Sequence, residues 1–368
     1  MSNQNTVPRI KIKNTPDNIA LFQACASNDM NVANEARQTV AAFIGPVIQQ
    51  VLDLMGTANI LYTDWPYSED DSPSIPLDLY YNQAVNSVLV WQQNVAGGLG
   101  TSLQTGLQEL LVATYELQTA VSFMIRDLKR GRLPRLSLGL HRAAQEMLVK
   151  TERNAWLVVL RSLAEATTNS LKHYITATTP NVIQVDDFNR LLTRAKRINT
   201  AFNGGTPDSL YSRGATDFFL SPEAMQEIRS FAYQPMNTRG VPNSDESTAV
   251  PLPDSIREKI YNSAGTSEIF GITLHEMLEF GVGQTYNSVF ASFAGSSAIG
   301  ANDELVLGVD LSREALLRPI ASEELTGSTL VMKVDDQFPA RAQKVGYWGG
   351  INEGRVCLDA RVLSGLIV

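Results

Sequence analysis

Apolar residues first recur at helical spacing between Val32 and Met55. Ala36, Val40, Phe43, Ile44, Val47, Ile48, Val51, Leu52 and Met55 form one stripe, and Gly56 closes it. Pro46 inside the run predicts a kink. A longer periodic stretch follows Ser137, a plausible N-cap, and runs from Leu138 to Ile175. Arg142 with Glu146, and Glu146 with Lys150, support its exposed face. The centre, Trp156 to Leu160, is apolar on every side, so a helix of about 55 Å is expected with its middle buried. Val185 to Phe202 is helical by pattern, with Asp186 and Asp187 in its first turn and Lys196 and Arg197 in its last. Ser221 caps a further helix that Pro222 opens and that runs to about Phe231.

Alternation with period two predicts a strand at Thr114–Val121, and Asp217–Leu220, EIFGITLHEM (268–277) and DELVLGVDL (303–311) also read as strands. The last two flank a segment rich in small residues, 281–300. From Ser328 to Val368 the chain reads as strand, turn, strand, turn and a final apolar strand tied into a sheet, with Tyr347 and Trp348 in an exposed, turn-rich hinge. Prolines and acids in DWPYSEDDSPSIPLD (64–78) exclude long regular elements, and Tyr233–Pro253 reads as a loop. The first thirty residues, with Pro8, Pro16 and the basic Arg9, Lys11 and Lys13, read as an extended arm.

Charge sharpens this picture. The chain is 18% charged, yet Leu79–Gln108 contains no charged residue and carries AGGLG at its middle, which predicts a long hairpin suited to lying across a neighbouring subunit. Lys129, Arg130, Arg132 and Arg135 form the densest cationic cluster, and Asp64, Glu69, Asp70 and Asp71 are its opposite number across an interface. Together with Trp91, Gln92 and Gln93 of the hairpin they are the candidate inter-subunit contacts. The alternative for the basic cluster is a solvated turn. A net charge of −8 argues against tight nucleic-acid binding as the protein's task. The start MSNQNTVPRIKIKN has no apolar signal region, and no run approaches a membrane span, so a soluble cytosolic product is expected. Cys25 and Cys357 are expected to be free, inert thiols.

Catalytic patterns are incomplete. LHEML offers His275 and Glu276, but a zinc helix needs a second His where Glu279 stands. Gly97, Gly98 and Gly100 lack the Lys-Ser/Thr pair of a phosphate loop, Gly281 and Gly283 lack the third glycine of a dinucleotide fingerprint, and no Gly-x-Ser-x-Gly occurs. No catalytic, cofactor or metal site is expected.

The order of arm, charge-free hairpin, strand with RDLKRGRLPRLS, long helix with VKTERNAWL, DFFLSPEAMQEIRSF, DELVLGVD and the terminal LVMKVDDQFPARAQKVGYWGGINEGRVCLDARVLSGL resembles the Hong Kong 97 fold. That α+β fold is shared by the major capsid proteins of tailed bacteriophages and by encapsulin shells. The resemblance implies an N-terminal arm and helix (1–58), an extended E loop (59–108) and a P domain with its spine helix (109–180). It further implies an A domain (181–325) and C-terminal strands returning to the P domain (326–368). By the same resemblance the chain self-assembles into hexamers and pentamers of an icosahedral virion head, made in the host cytoplasm, that encloses double-stranded DNA without sequence-specific binding. Portal, scaffolding and decoration proteins are the implied partners. No lysine stands between Leu79 and Gln108, which puts the family's self-crosslinking in doubt. An encapsulin-like cargo shell, with a docking groove lined by the apolar face from Val40 to Met55, is the alternative, and an enzyme or binding module of another fold is the third reading.

Overall fold

The computed structural model describes residues 10, 12–68, 73–76, 109–168, 170–202, 214–230, 267–295, 297–322, 329–335 and 343–368. The chain is of mixed α+β construction and divides into two compact units. The first comprises Met1–Ser74, Leu111–Ala155 and Leu317–Val356, and the second Ile75–Leu110, Trp156–Leu316 and Cys357–Val368. The second thus includes the chain's last residues.

In the first unit, the segment expected as an extended arm contains a helix, Pro16–Ala24. Pro16 is pre-organised for a helix start, and Thr15 Oγ1 accepts a hydrogen bond from the Asn18 amide at 3.4 Å. Helix Met30–Met55 follows, capped by Asp29 and ended by Gly56, and it runs on through Pro46. Its apolar stripe is buried at Val40, Ile44, Ile48 and Val51. Gly45 permits close approach to the next element, since a Cβ there would lie 2.9 Å from the Leu330 carbonyl oxygen.

The sheet of this unit is organised by the ten-residue strand Lys344–Glu353. It pairs antiparallel along its whole length with Tyr115–Met124, and Val331–Asp335 pairs with its Gly346–Gly350 portion. Thr63–Ser68 runs parallel to Leu317–Ser322. That six-residue strand lies where the prolines had excluded long elements. Pro66 is tolerated because, among the described residues, this strand has a partner on one side only. Tyr347 and Trp348 are not a hinge: they occupy the middle of the central strand, with Tyr347 buried in the core and Trp348 partly exposed. The glycines after them serve close packing instead of a turn. A Cβ on Gly349 would meet the Val331 carbonyl oxygen and the Met332 sulfur at 2.3 and 2.6 Å.

The long helix spans Leu133–Glu165, 33 residues, or about 50 Å. It starts earlier than expected because Pro134 fits the first turn, so Ser137 is not its cap. The Ser137 hydroxyl instead donates to the Leu133 carbonyl at 3.2 Å and accepts from the Ile12 amide. It also ends earlier: Thr167–Thr168 and Leu171–Lys172 pair as a short hairpin, with Ser170 at φ +63° between them. Threonines and a left-handed serine suit that turn better than a helix. Arg142, Glu146 and Lys150 are exposed as expected, whereas Leu157 is partly exposed within the stretch expected to be apolar and buried all round.

In the second unit, six strands are ordered Tyr174–Thr176, Leu363–Ile367, Leu305–Val309, Asp217–Leu220, Ile272–Glu276 and Ser267–Ile269. The final apolar strand is antiparallel to Leu305–Val309 and parallel to Tyr174–Thr176, and both it and Leu305–Val309 are buried throughout. EIFGITLHEM is two strands, not one, because Phe270 and Gly271 both take positive φ and form a tight turn. The small-residue segment contains a helix, Thr285–Ala294. Helix Val185–Phe202 matches expectation in its bounds, although Lys196 and Arg197 precede its last turn. Asp187 is fully buried and accepts from the Thr178 and Gln184 amides at 3.0 and 3.1 Å. Ser221 caps helix Pro222–Ser230 through the Ala224 amide. Trp156 is fully buried, edge-on to Phe219 and Phe280 and stacked on Tyr286 at 5.3 Å.

Gly349→Ala is expected to destabilise the protein by about 1–3 kcal/mol, because the strand pair must open to admit a methyl group. Urea denaturation followed by near-ultraviolet circular dichroism measures it, and an unchanged midpoint contradicts the close packing.

Candidate functional site

The strand Tyr115–Met124 passes into a one-turn helix, Ile125–Lys129. Gly131, at φ +61°, ends that helix: its amide donates to the Leu128 carbonyl and the Arg132 amide to the Asp127 carbonyl, the paired bonds that let a glycine stop a helix. The turn therefore has a defined geometry, and it presents Arg126, Lys129, Arg130, Arg132 and Arg135 to solvent. Asp127 is the acid among them. It accepts from Arg135 at 3.1 Å and lies 3.5 Å from Arg132. Two of the four cations read from the sequence thus have a partner within the chain, a detail that spacing alone does not reveal.

Beside this turn lies a cleft of about 350 Å³. Phe22, Phe123 and Leu136 are among its apolar walls, and Arg126, Arg132 and Arg135 are its cationic ones. A second hollow of about 530 Å³ is lined by Ile10, Ile12, Pro134, Leu138 and His141, and Leu138 is 69% exposed there. Met30, Phe43, Leu111 and Val149 are further large apolar side chains open to solvent in this unit.

Of the acidic candidates, Asp64 is exposed and 3.5 Å from Arg318 of the same chain. Glu69, Asp70 and Asp71 lie outside the described residues, as do Trp91, Gln92 and Gln93 and the whole of the expected hairpin. The strands that flank 77–108, Ser74–Pro76 and Glu109–Leu111, pair with each other, so the stretch begins and ends at one place.

Arg318 belongs to a buried network. Its Nε donates to Glu353 at 2.8 Å, Arg355 donates to the same carboxylate oxygen at 3.1 Å, and the Tyr115 hydroxyl donates to the other oxygen at 3.0 Å. The Arg355 guanidinium also lies over the Tyr62 ring at 4.7 Å. Burial and the Glu353 charge push the Tyr115 phenol up to about 12. This network is structural in character: Glu353 is fully buried and reaches no cavity described above.

The chemical candidates are similarly absorbed. His275 is stacked on Phe219, and its Nε2 lies 2.7 Å from Asp217. Burial alone would raise the Asp217 carboxyl, but hydrogen bonds from His275 and Thr216 outweigh it and hold it low. Glu276 pairs with Arg229 at 3.5 Å. Gly281 and Gly283 take positive φ in the turn before helix Thr285–Ala294, while Gly97, Gly98 and Gly100 lie outside the described residues. Among those residues, no group of three His, Cys, Asp or Glu side chains could hold a metal ion, and no helix is long and apolar enough to cross a membrane. Cys25 and Cys357 are free. Burial raises both thiols, that of Cys357 to about 12.

No family model matches the chain, and no curated protein matches it. Solved structures do. The capsid structure of the cyanophage P-SCSP1u is 12% identical with a TM-score of 0.48, covering 83% of this chain and 86% of that one. The capsid of a native GTA particle is 10% identical with a TM-score of 0.49, covering 84% and 89%. The holo-SrpI encapsulin complex from Synechococcus elongatus is 13% identical with a TM-score of 0.42, covering 83% and 84%.

Glu353→Gln is expected to cost about 3–5 kcal/mol, because it leaves Arg318 and Arg355 buried without a full counter-charge. Equilibrium denaturation at pH 7 measures it, and a loss below about 1 kcal/mol contradicts the network.

Proposed function

We propose that this chain is the major capsid protein of a tailed double-stranded DNA phage, and that it is a structural protein and not an enzyme. What carries the reading is the order of elements. A ten-residue strand leads through a basic turn into a 33-residue helix, and the Lys344–Glu353 strand returns to pair with the strand that precedes that helix. This is the order implied by the resemblance between RDLKRGRLPRLS, VKTERNAWL and the terminal strands and the Hong Kong 97 fold. In this reading Leu133–Glu165 is the spine helix of the P domain, 59–108 is the E loop and 181–325 the A domain. Copies associate through heterologous contacts into hexamers and pentamers, which close into an icosahedral head. The exposed Leu138, Val149, Leu111 and Phe43 are covered by neighbours, and many weak contacts add up to a stable container.

Trp91, Gln92 and Gln93, together with the basic turn and the acids Asp64 and Glu69–Asp71, are the proposed contact residues. The net charge of −8 lets enclosed DNA lie against the shell without sticking. Portal, scaffolding and decoration proteins are proposed partners, and the host cytoplasm the place of assembly. The encapsulin-like alternative relied on the apolar face from Val40 to Met55 to line a groove, and most of that face is buried within the chain's own core.

Electron microscopy of the purified protein tests the function. Closed shells of uniform diameter containing nucleic acid are expected. Shells filled with protein cargo select the encapsulin-like reading, and a monodisperse monomer under every assembly condition rejects both. Deleting Gln92–Ser102 is expected to leave a folded subunit with poor shell yield, and wild-type yield would show that this segment is not an interface.

A further inference from the structure

The strand Tyr115–Met124 has Lys344–Glu353 on one side and, among the described residues, no strand on the other. It is ten residues long, contains no proline, and carries one charge, Glu116. Edge strands that stay unpaired are usually short, heavily charged or interrupted by proline, and this one is long, proline-free and carries a single charge. Its last four residues, Val121 to Met124, line the 350 Å³ cleft together with Arg126, Asp127, Arg132 and Arg135. Residues of the strand and a set of guanidinium groups therefore line one space. That combination recognises an extended segment bearing carboxylates, with main-chain bonds supplying affinity and the arginines reading the side chains.

One segment of this chain has the matching chemistry. Glu69, Asp70 and Asp71 are its only run of three consecutive acids. The residues before them, Thr63–Ser68, form an extended strand. The cationic turn is the converse, five basic side chains within ten residues of a chain with a net charge of −8. Asp127 offsets part of this charge, and Arg132 and Arg135 remain 43% and 63% exposed.

We infer that the cleft beside Val121–Met124 receives Glu69–Asp71 of a second copy of this chain, laid along the open strand edge and paired with Arg126, Arg132 and Arg135. This rests on the shell reading and gives it a specific contact. Exposed ion pairs are screened by salt, so the contact weakens as ionic strength rises, whereas apolar contacts persist.

The test is charge reversal in the full-length chain, read as assembled fraction by sedimentation alongside the melting temperature. R132E/R135E and E69K/D70K/D71K are each expected to lower the assembled fraction by about tenfold or more through like-charge apposition, with the melting temperature held. The five-fold variant carrying both sets is expected to recover assembly. R132Q/R135Q, which removes charge without reversing it, is expected to give an intermediate loss. Wild-type assembly in either reversed variant, or no recovery when they are combined, overturns the inference.

If the wild-type chain forms no shells, the shell reading fails by itself. The cleft is then judged with a labelled synthetic peptide, WPYSEDDSPSI, by fluorescence anisotropy on the wild-type subunit. Binding that R132E/R135E abolishes supports the slot, and absence of binding overturns it. Displacement of the peptide by duplex DNA more readily than by unlabelled peptide also overturns it, because the arginines would then be a phosphate surface.

Discussion

The antiparallel ladder between Tyr115–Met124 and Lys344–Glu353 is the constraint on which the first unit depends. It joins stretches of sequence far apart, and at its end the Tyr115 hydroxyl meets Glu353 across 238 residues. Closing so long a loop costs entropy that only a sizeable set of contacts offsets. The ladder supplies ten register pairs, and the core set of Val40, Ile44, Leu136, Leu140 and Tyr347 supplies the apolar burial. Glu353 then fixes the register. A slip of one residue would turn this carboxylate to the other face of the sheet, away from Arg318 and Arg355, and leave buried charges unpaired.

A second consequence concerns how the chain is put together. Neither compact unit is a continuous stretch of sequence, and each takes part of its sheet from the last forty residues. Lys344–Glu353 is central to the first, while Leu363–Ile367 lies between Leu305–Val309 and Tyr174–Thr176 in the second. Each sheet is therefore incomplete until the C-terminal strands are present. Contacts of such long range fold slowly, and an open strand edge exists meanwhile as an aggregation hazard. The Tyr115–Met124 edge, unpaired among the described residues, is tolerable in a protein that buries it on association and a liability in one that does not.

What was legible in the sequence follows from how local the cause is. Val185–Phe202 and Asp217–Leu220 are legible to the residue because their signals, acids in a first turn and a short apolar run stopped by Ser221-Pro222, sit within or next to the elements themselves. The ends of the long helix are also set locally: Pro134 is a better start signal than Ser137, and Thr167 and Thr168 a better stop than the distant Pro180. Tyr347-Trp348-Gly349-Gly350 takes its strand conformation for a non-local reason. Two glycines look like a turn unless the partner strands are known, and only the closeness of Val331 and Met332 explains why Gly349 lacks a side chain. The small-residue segment hid helix Thr285–Ala294 for the same reason: Phe290 is fully buried and Tyr286 stacks on Trp156, contacts that lie far away in sequence.

The candidate site divides along the same line. The cationic cluster is visible as composition, but its geometry is not: Gly131 fixes the turn, Asp127 neutralises part of it, and Arg126, Arg132 and Arg135 line a cleft beside the strand. The acidic bulk of the chain makes the point stronger, because at net charge −8 like copies repel at long range and association needs a local patch of opposite sign. Screening at physiological salt shortens that repulsion to about 8 Å, the range over which a single cationic turn can dominate. In the proposed shell, attraction therefore acts only when two copies meet in the right orientation, which is the condition for building a closed, regular assembly instead of an irregular aggregate.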